Sequence, residues 1–370
     1  MSIAEKWLTR AIDDRAKRSY TGRFASALHR SLFRRESDPR ALLTEVYYRQ
    51  DDFQQAARLL RITGKEVISR KLESFKDLPP YQIEGTNEAT LLKFVMTNPL
   101  PVVQVRVSAS EPVNFFIDTG GAETLIDSEF AREIGVVQFG SEKGTFGGGK
   151  HASFQHGHVN SLTVGDFVIK NVPVNIMNVR QFSQPVFGGI RVDGVIGTYL
   201  LYHFLATLDY PGGGLILRRK TTTALKKFEE QVKAEKQIMV RFWMMQHYMI
   251  TWGTVNRRVP LLLFVDTGLV GAGFTCPRST LKEVGIPLPD GVREGIGAGG
   301  MMWTIPFKLA ELALGEATEK GIQGIFGPFP PPLEKMFRFR IGGIISHEFF
   351  KWYAFTLDFT GMRFFLKRAE

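Results

Sequence analysis

Cysteine is nearly absent from this chain of 370 residues: Cys276 stands alone, so no internal disulfide can form. Within "GFTCP" it reads as a small buried side chain. Long apolar runs are missing too. No stretch approaches the roughly 18 residues that a membrane-spanning helix needs, so no transmembrane helix is expected. The opening "MSIAEKWLTRAIDDRAKRSY" puts Glu5, Asp13 and Asp14 where a secretory signal needs an apolar centre, and a cytoplasmic protein is the expectation. Histidine is sparse. His151, His156 and His158 lie close together but lack a fourth ligand; they read as solvent-facing strand residues, and no metal is expected. The net charge of +10 is spread along the chain without a nucleic-acid-binding module, so neither nucleic acid nor a membrane is expected as a partner.

What is present divides into four segments. Residues 1–85 are rich in Ala, Leu, Arg, Lys and Glu, and apolar residues recur at helical spacing: Leu43, Val46 and Tyr47, then Phe53, Ala56, Ala57 and Leu60. Gly64 closes the second run. This pair resembles one tetratricopeptide-type unit. A single copy cannot close a core, so it is expected to pack on the rest of the chain, with its helices offering a possible protein-partner surface. Residues 86–220 and 238–370 have short alternating runs and many glycines, the pattern of strands. Between them, 221–237 reads as a basic linker with a solvated helix.

The informative motif is "NFFIDTGGAETLID", in which an apolar strand runs into Asp118-Thr119-Gly120. A carboxylate at the end of a buried strand is costly unless something answers it. One such triplet arises by chance roughly once in ten chains. Here a second, Asp266-Thr267-Gly268, caps another apolar strand 148 residues later. The neighbours repeat as well: "DGVIGTYLLYHFLATLDYPGGGLILRR" is followed by "GGIISHEFFKWYAFTLDFTGMRFFLKR", with Asp209 and Asp358 offset by 149. An internal duplication explains both offsets. If the halves pack about a pseudo-twofold axis, Asp118 and Asp266 meet, share a proton, and can act as general base and general acid on a trapped water.

These residues resemble the aspartic peptidases, nearer the retropepsin type than pepsin, over roughly residues 100–370. The resemblance implies a mainly β fold of two pseudo-symmetric lobes, a duplicated retropepsin-like β-barrel, preceded by the small α-helical N-terminal region. It implies an endopeptidase acting on polypeptide, with Asp118 and Asp266 catalytic and no cofactor. Thr119 and Thr267 would brace the turns across the axis, and Gly120 and Gly268 would let backbone approach the carboxylates. The chain departs from the pepsin pattern at Gly121 and Leu269, where a hydroxyl residue usually follows the triplet, and at Ser346, where Gly is usual. Loss of that donor should raise the dyad's titration. The departures also motivate an alternative, a weak or inactive peptide-binding adaptor.

Two glycine-rich stretches imitate nucleotide loops. "GTFGGGKH" at 144–151 has His151 where a phosphate loop needs Ser or Thr, and "GIGAGG" at 295–300 is followed by strand pattern rather than helix. They begin 26 and 29 residues past their aspartates, so both read as flap hairpins, with Phe146, Gly147, Gly148, Gly297, Gly299 and Gly300 facing substrate. Asp127 reads as a helix N-cap, and Asp209 and Asp358 as structural turn residues. The basic run "HRSLFRRE" at 29–36 suggests an inhibitory pro-segment that could neutralise the dyad.

Overall fold

The computed structural model describes residues 3–20, 38–257, 260–288, 290–330, 332–337 and 339–369. The basic run at 29–36 lies outside them. Helices α1 (Ile3–Tyr20), α2 (Pro39–Arg49), α3 (Phe53–Ile62) and α4 (Glu66–Glu73) come first. Asp38 caps α2 by accepting from Arg40 N at 3.0 Å, and Asp52 caps α3 by accepting from Gln55 N at 3.2 Å. Past the end of α3, Gly64 takes the left-handed conformation at φ 77°, as the sequence required. The buried faces of α3 and α4, with Phe53, Ala56, Ala57 and Leu72, join Phe75 in the main hydrophobic core, so these helices are built into the first lobe.

That lobe comprises β1 (Gln82–Glu84), β2 (Ala89–Lys93), β3 (Val102–Val107), β4 (Val113–Ile117), β5 (Thr124–Asp127), α5 (Ser128–Glu133), β6 (Val137–Thr145), β7 (His151–Val164), β8 (Phe167–Met177), α6 (Val179–Ser183), β9 (Gly194–Ile196), α7 (Thr198–Tyr202), β10 (Phe204–Asp209) and β11 (Gly214–Arg219). Helix α8 (Thr222–Ala234) follows. The second lobe comprises β12 (Ile238–Met245), β13 (Tyr248–Val255), β14 (Pro260–Val265), β15 (Phe274–Thr275), α9 (Arg278–Val284), β16 (Arg293–Gly297), β17 (Gly300–Leu314), β18 (Ala317–Phe326), α10 (Pro332–Phe337), β19 (Gly343–Ile345), α11 (His347–Phe350), β20 (Tyr353–Asp358) and β21 (Arg363–Arg368).

Strand pairing exposes the duplication. In the first lobe β3, β4, β9, β5, β8 and β7 form a closed circuit; in the second, β13, β14, β19, β15, β18 and β17 form the same one. Closure leaves these strands no free edge within the barrel. Alternation works as expected in β3, where Val103, Val105 and Val107 are buried while Gln104 and Arg106 are exposed. A second layer joins the halves: β2, β11, β10, β20, β21 and β12 form one continuous sheet. Its centre is the β10–β20 pair, where Thr207 lies opposite Thr356 and their hydroxyls are 2.8 Å apart. These are equivalent residues, so the pseudo-twofold axis passes between them.

The segment at 221–237 departs from a solvated linker. Thr221 caps α8, and Leu225, Phe228 and Val232 pack against Leu205 and Phe365 of the joining sheet. An apolar stripe at spacings of three and four was present among the lysines, and it covers one sheet face.

Candidate active site

Each Asp-Thr-Gly turn leaves the barrel where a strand ends between two others. Ile117 in β4 pairs with Ile196 in β9, and Val265 in β14 pairs with Ile345 in β19. Asp118 N–H then donates to Ile196 O, and Asp266 N–H to Ile345 O, both at 3.0 Å. The next residues lock the lobes together. Thr119 N–H donates to Thr267 Oγ1 and Thr267 N–H to Thr119 Oγ1, each at 3.1 Å. The hydroxyls in turn donate to Val265 O at 3.2 Å and Ile117 O at 3.4 Å. Both threonines are fully buried, so each polar group depends on its counterpart across the axis.

This grip fixes the carboxyls. Gly120 N–H donates to Asp118 Oδ1 at 2.7 Å, and Gly268 N–H to Asp266 Oδ1 at 2.8 Å. The glycines are sterically required: a Cβ on Gly120 would lie 2.5 Å from the Asp266 carboxyl, and one on Gly268 would lie 2.3 Å from that of Asp118. Each carboxyl therefore lies against the other lobe's turn, which brings the two together at the axis. Burial raises both above the ordinary carboxylate range, Asp266 strongly, because the Asp118 charge adds to its own burial. They titrate as a pair.

The departures from the pepsin pattern have a local compensation. Ser346 is fully buried, and its hydroxyl accepts from Leu269 N–H at 3.1 Å. At the matching place in the first lobe a Cβ on Gly197 would meet Glu123 O at 2.5 Å, so that position has no room for a side chain. The Ser346 hydroxyl serves the backbone and not the dyad.

Strands β6 and β7 form the first expected hairpin, with a 3-10 turn at Gly147–Gly149; β16 and β17 form the second, with Gly297 opposite Gly300. The tips meet. Gly148 N–H donates to Pro328 O at 2.7 Å, and Gly147 and Gly148 face Met302. Gly299 abuts Lys150, where an added Cβ would come within 2.4 Å. Phe146 packs in one apolar cluster with Ala298 of the second tip and with Val270, four residues past Asp266. Gly148 at φ 68° and Gly300 at φ 103° occupy conformations that suit glycine.

Other expectations divide. Asp127 caps α5, accepting from Glu129 N at 2.9 Å. Asp209 and Asp358 each accept a turn N–H at 2.9 Å, from Gly212 and Gly361. Cys276 is buried. The histidine reading holds for His151, which is exposed, and needs correction for the other two. His156 is only 4% exposed and lies 3.3 Å from Glu142, while His158 packs on Phe75 and meets Ser74 at 3.0 Å. The chain just past α4 covers the strand face that alternation alone assigned to solvent. Among the described residues, no group of three side chains could hold a metal ion.

Three residues near the site went unread in the sequence. His247 Nε2 lies 3.0 Å from Gly120 O, and burial pushes its imidazole down to about 4. Tyr248 is pushed up to about 12 by burial and by Asp266 nearby. Glu123, five residues past Asp118, is held by Lys71 at 2.5 and 2.7 Å and by the Tyr48 hydroxyl. None carries a motif; each is placed by pairing between distant segments.

Two barrel lobes thus bring a pair of Asp-Thr-Gly turns together across a pseudo-twofold axis. In the comparison with known families, residues 103–200, from β3 into α7 and including Asp118, match the family described as aspartyl protease. Among solved structures, a retropepsin-like aspartic protease from Rickettsia conorii matches at 18% identity, covering 35% of this chain and 89% of that one, with a TM-score of 0.27. A search of curated proteins found no match. Among the described residues, no helix is long and apolar enough to cross a membrane.

Proposed function

We propose that the chain is an aspartic endopeptidase that hydrolyses peptide bonds of an extended polypeptide between its lobes. One observation carries this reading: Asp118 and Asp266, from duplicated halves, are brought together against each other's glycine turns above a reciprocal threonine grip. The ionised carboxylate takes a proton from water as the water oxygen bonds to the scissile carbonyl carbon; the protonated partner donates to the carbonyl oxygen. The tetrahedral intermediate then collapses, the C–N bond breaks, and the amine nitrogen leaves with a proton returned through the dyad. Phe146, Gly147, Gly148, Gly297, Gly299 and Gly300 form flaps that part to admit substrate and close to exclude water. One chain supplies both aspartates, so the reading needs no dimer, and it assigns no role to a cofactor.

Burial raises both carboxyls, and activity is expected at weakly acidic to near-neutral pH. The test is cleavage of an unfolded protein from pH 3 to 8 by the native chain, Asp118→Asn and Asp266→Asn, with and without pepstatin. Loss of cleavage in both variants is expected. An optimum below about pH 3 would contradict the dyad's environment, and no cleavage by the native chain would favour the peptide-binding adaptor.

A further inference from the structure

The N-terminal helices touch both lobes beside the dyad, through adjacent residues of α2. Tyr48 donates its hydroxyl to Glu123, which stands five residues past Asp118 and immediately before β5 in the first lobe. Arg49 donates to Gln246 O at 2.6 Å, in the two-residue turn between β12 and β13 of the second lobe. Glu45, one helical turn earlier, steadies the guanidinium by accepting from its Nε at 3.0 Å. The other residue of that turn is His247, whose Nε2 lies 3.0 Å from Gly120 O in the first lobe. A carbonyl only accepts, so the imidazole donates. Tyr199 of α7 lies against both, its ring 4.9 Å from that of Tyr48 and 6.4 Å from that of His247.

These contacts fall where the duplication is broken. By the 148-residue offset His247 corresponds to Pro99, whose ring has no N–H to give. Glu123 corresponds to Gly271 when counted from Asp266, or to Gly273 by its place before β15, and neither glycine offers a side chain for a helix to hold. Gly120 is the point on which the contacts bear. Its N–H donates to Asp118 Oδ1 at 2.7 Å, and a Cβ on it would lie 2.5 Å from the Asp266 carboxyl. A shift of this one residue therefore moves one carboxyl against the other.

We infer that Arg49 is a positioning residue: from α2 it holds the second lobe's β12–β13 turn against Gly120 and so sets the approach of the two carboxyls. The helical segment is then a working part of the site. The inference rests on the peptidase reading only for its effect on turnover.

The test is hydrogen exchange followed by mass spectrometry on the full chain, reading the segments 119–124 and 246–248. Arg49→Met keeps a comparable stem and removes the donor; exchange should quicken about tenfold in both segments, the scale of one lost hydrogen bond. Arg49→Lys keeps a donor and should return both towards native rates. His247→Phe cuts the same line nearer the dyad, so it should quicken 119–124, and adding Arg49→Met should change that segment no further. In the active chain Arg49→Met should lower kcat roughly tenfold with KM little changed, and Arg49→Lys should recover it. Exchange that quickens at 246–248 alone, a kcat unmoved by Arg49→Met, or a lysine variant no better than the methionine one overturns the inference. So does a double variant in which the two effects on 119–124 combine in full. Should Arg49→Met not fold, His247→Phe decides: faster exchange at 119–124 sustains the inference and an unchanged rate overturns it. If the native chain cleaves nothing, the peptidase reading fails while the exchange still decides what Arg49 holds.

Discussion

Replacing Lys71 with methionine isolates the bond between the N-terminal helices and the loop that follows Asp118. Lys71 is fully buried and Glu123 only 7% exposed, with the ammonium donating to both carboxylate oxygens at 2.7 and 2.5 Å. Burial acts to raise the Glu123 carboxyl; Lys71 outweighs it and leaves the group below its ordinary 4.5. Methionine keeps most of the stem and removes the charge, leaving Glu123 with the Tyr48 hydroxyl. Stranding one member of a buried pair costs about 3–5 kcal/mol. The sign with pH also inverts. In the native chain Glu123 contributes stability above the unfolded value near 4.5 and loses it as pH falls through the lower folded one. In the variant the folded carboxyl titrates above the unfolded one, so the penalty is greatest at neutral pH and shrinks on acidification. Urea unfolding followed by tryptophan fluorescence should show a larger loss at pH 8 than at pH 5, and Lys71→Met/Glu123→Gln should recover most of it. A loss under about 1 kcal/mol, or a double variant no better than the single, would refute the buried pair. The same burial speaks against a removable pro-segment: cutting away residues 1–80 would strip Phe53, Leu72 and Phe75 from the main core, and the remainder should not fold.

Three further outcomes are expected. Both dyad carboxyls titrate above their unfolded values, so their burial favours the fold in acid and weighs against it once pH rises through the raised values; Asp266→Asn should therefore melt higher than the native chain at pH 7.5, with the gain fading towards pH 4, while cleavage falls roughly 10³-fold or more. Thr119→Val leaves Thr267 N–H and Val265 O without the partner hydroxyl and should cost about 2–4 kcal/mol in denaturant titration; adding Thr267→Val should cost less than the two singles summed, because the bonds are reciprocal. Gly268→Ala drives a Cβ into the Asp118 carboxyl and should abolish turnover, whereas Gly64→Ala, with nothing within 4 Å, should cost only about 1–2 kcal/mol in stability and leave KM alone.

The duplication was legible because it is a statement about order along the chain: two triplets 148 residues apart, two Thr-Leu-Asp strands 149 apart, and two glycine hairpins at like positions. Caps and turns were legible for the same reason, since Asp127 serves amides two and three residues on. The histidines show where this stops. Alternation along β7 puts His156 and His158 on one face, but whether that face meets water depends on the helical segment that packs there. The lysine-rich stretch after β11 likewise hid Phe228, whose partner Phe365 lies 137 residues away.

By itself, then, the sequence determined the local chemistry: which strands end in a carboxylate, which turns demand glycine, and that each half repeats the other. Periodicity and capping act over a few residues, so they survive without coordinates. Tertiary structure alone decided what faces what. The bond from His247 to Gly120 spans 127 residues and that from Lys71 to Glu123 spans 52, and a hydrogen bond or a buried charge is set by ångström-scale approach, which no spacing in the chain encodes.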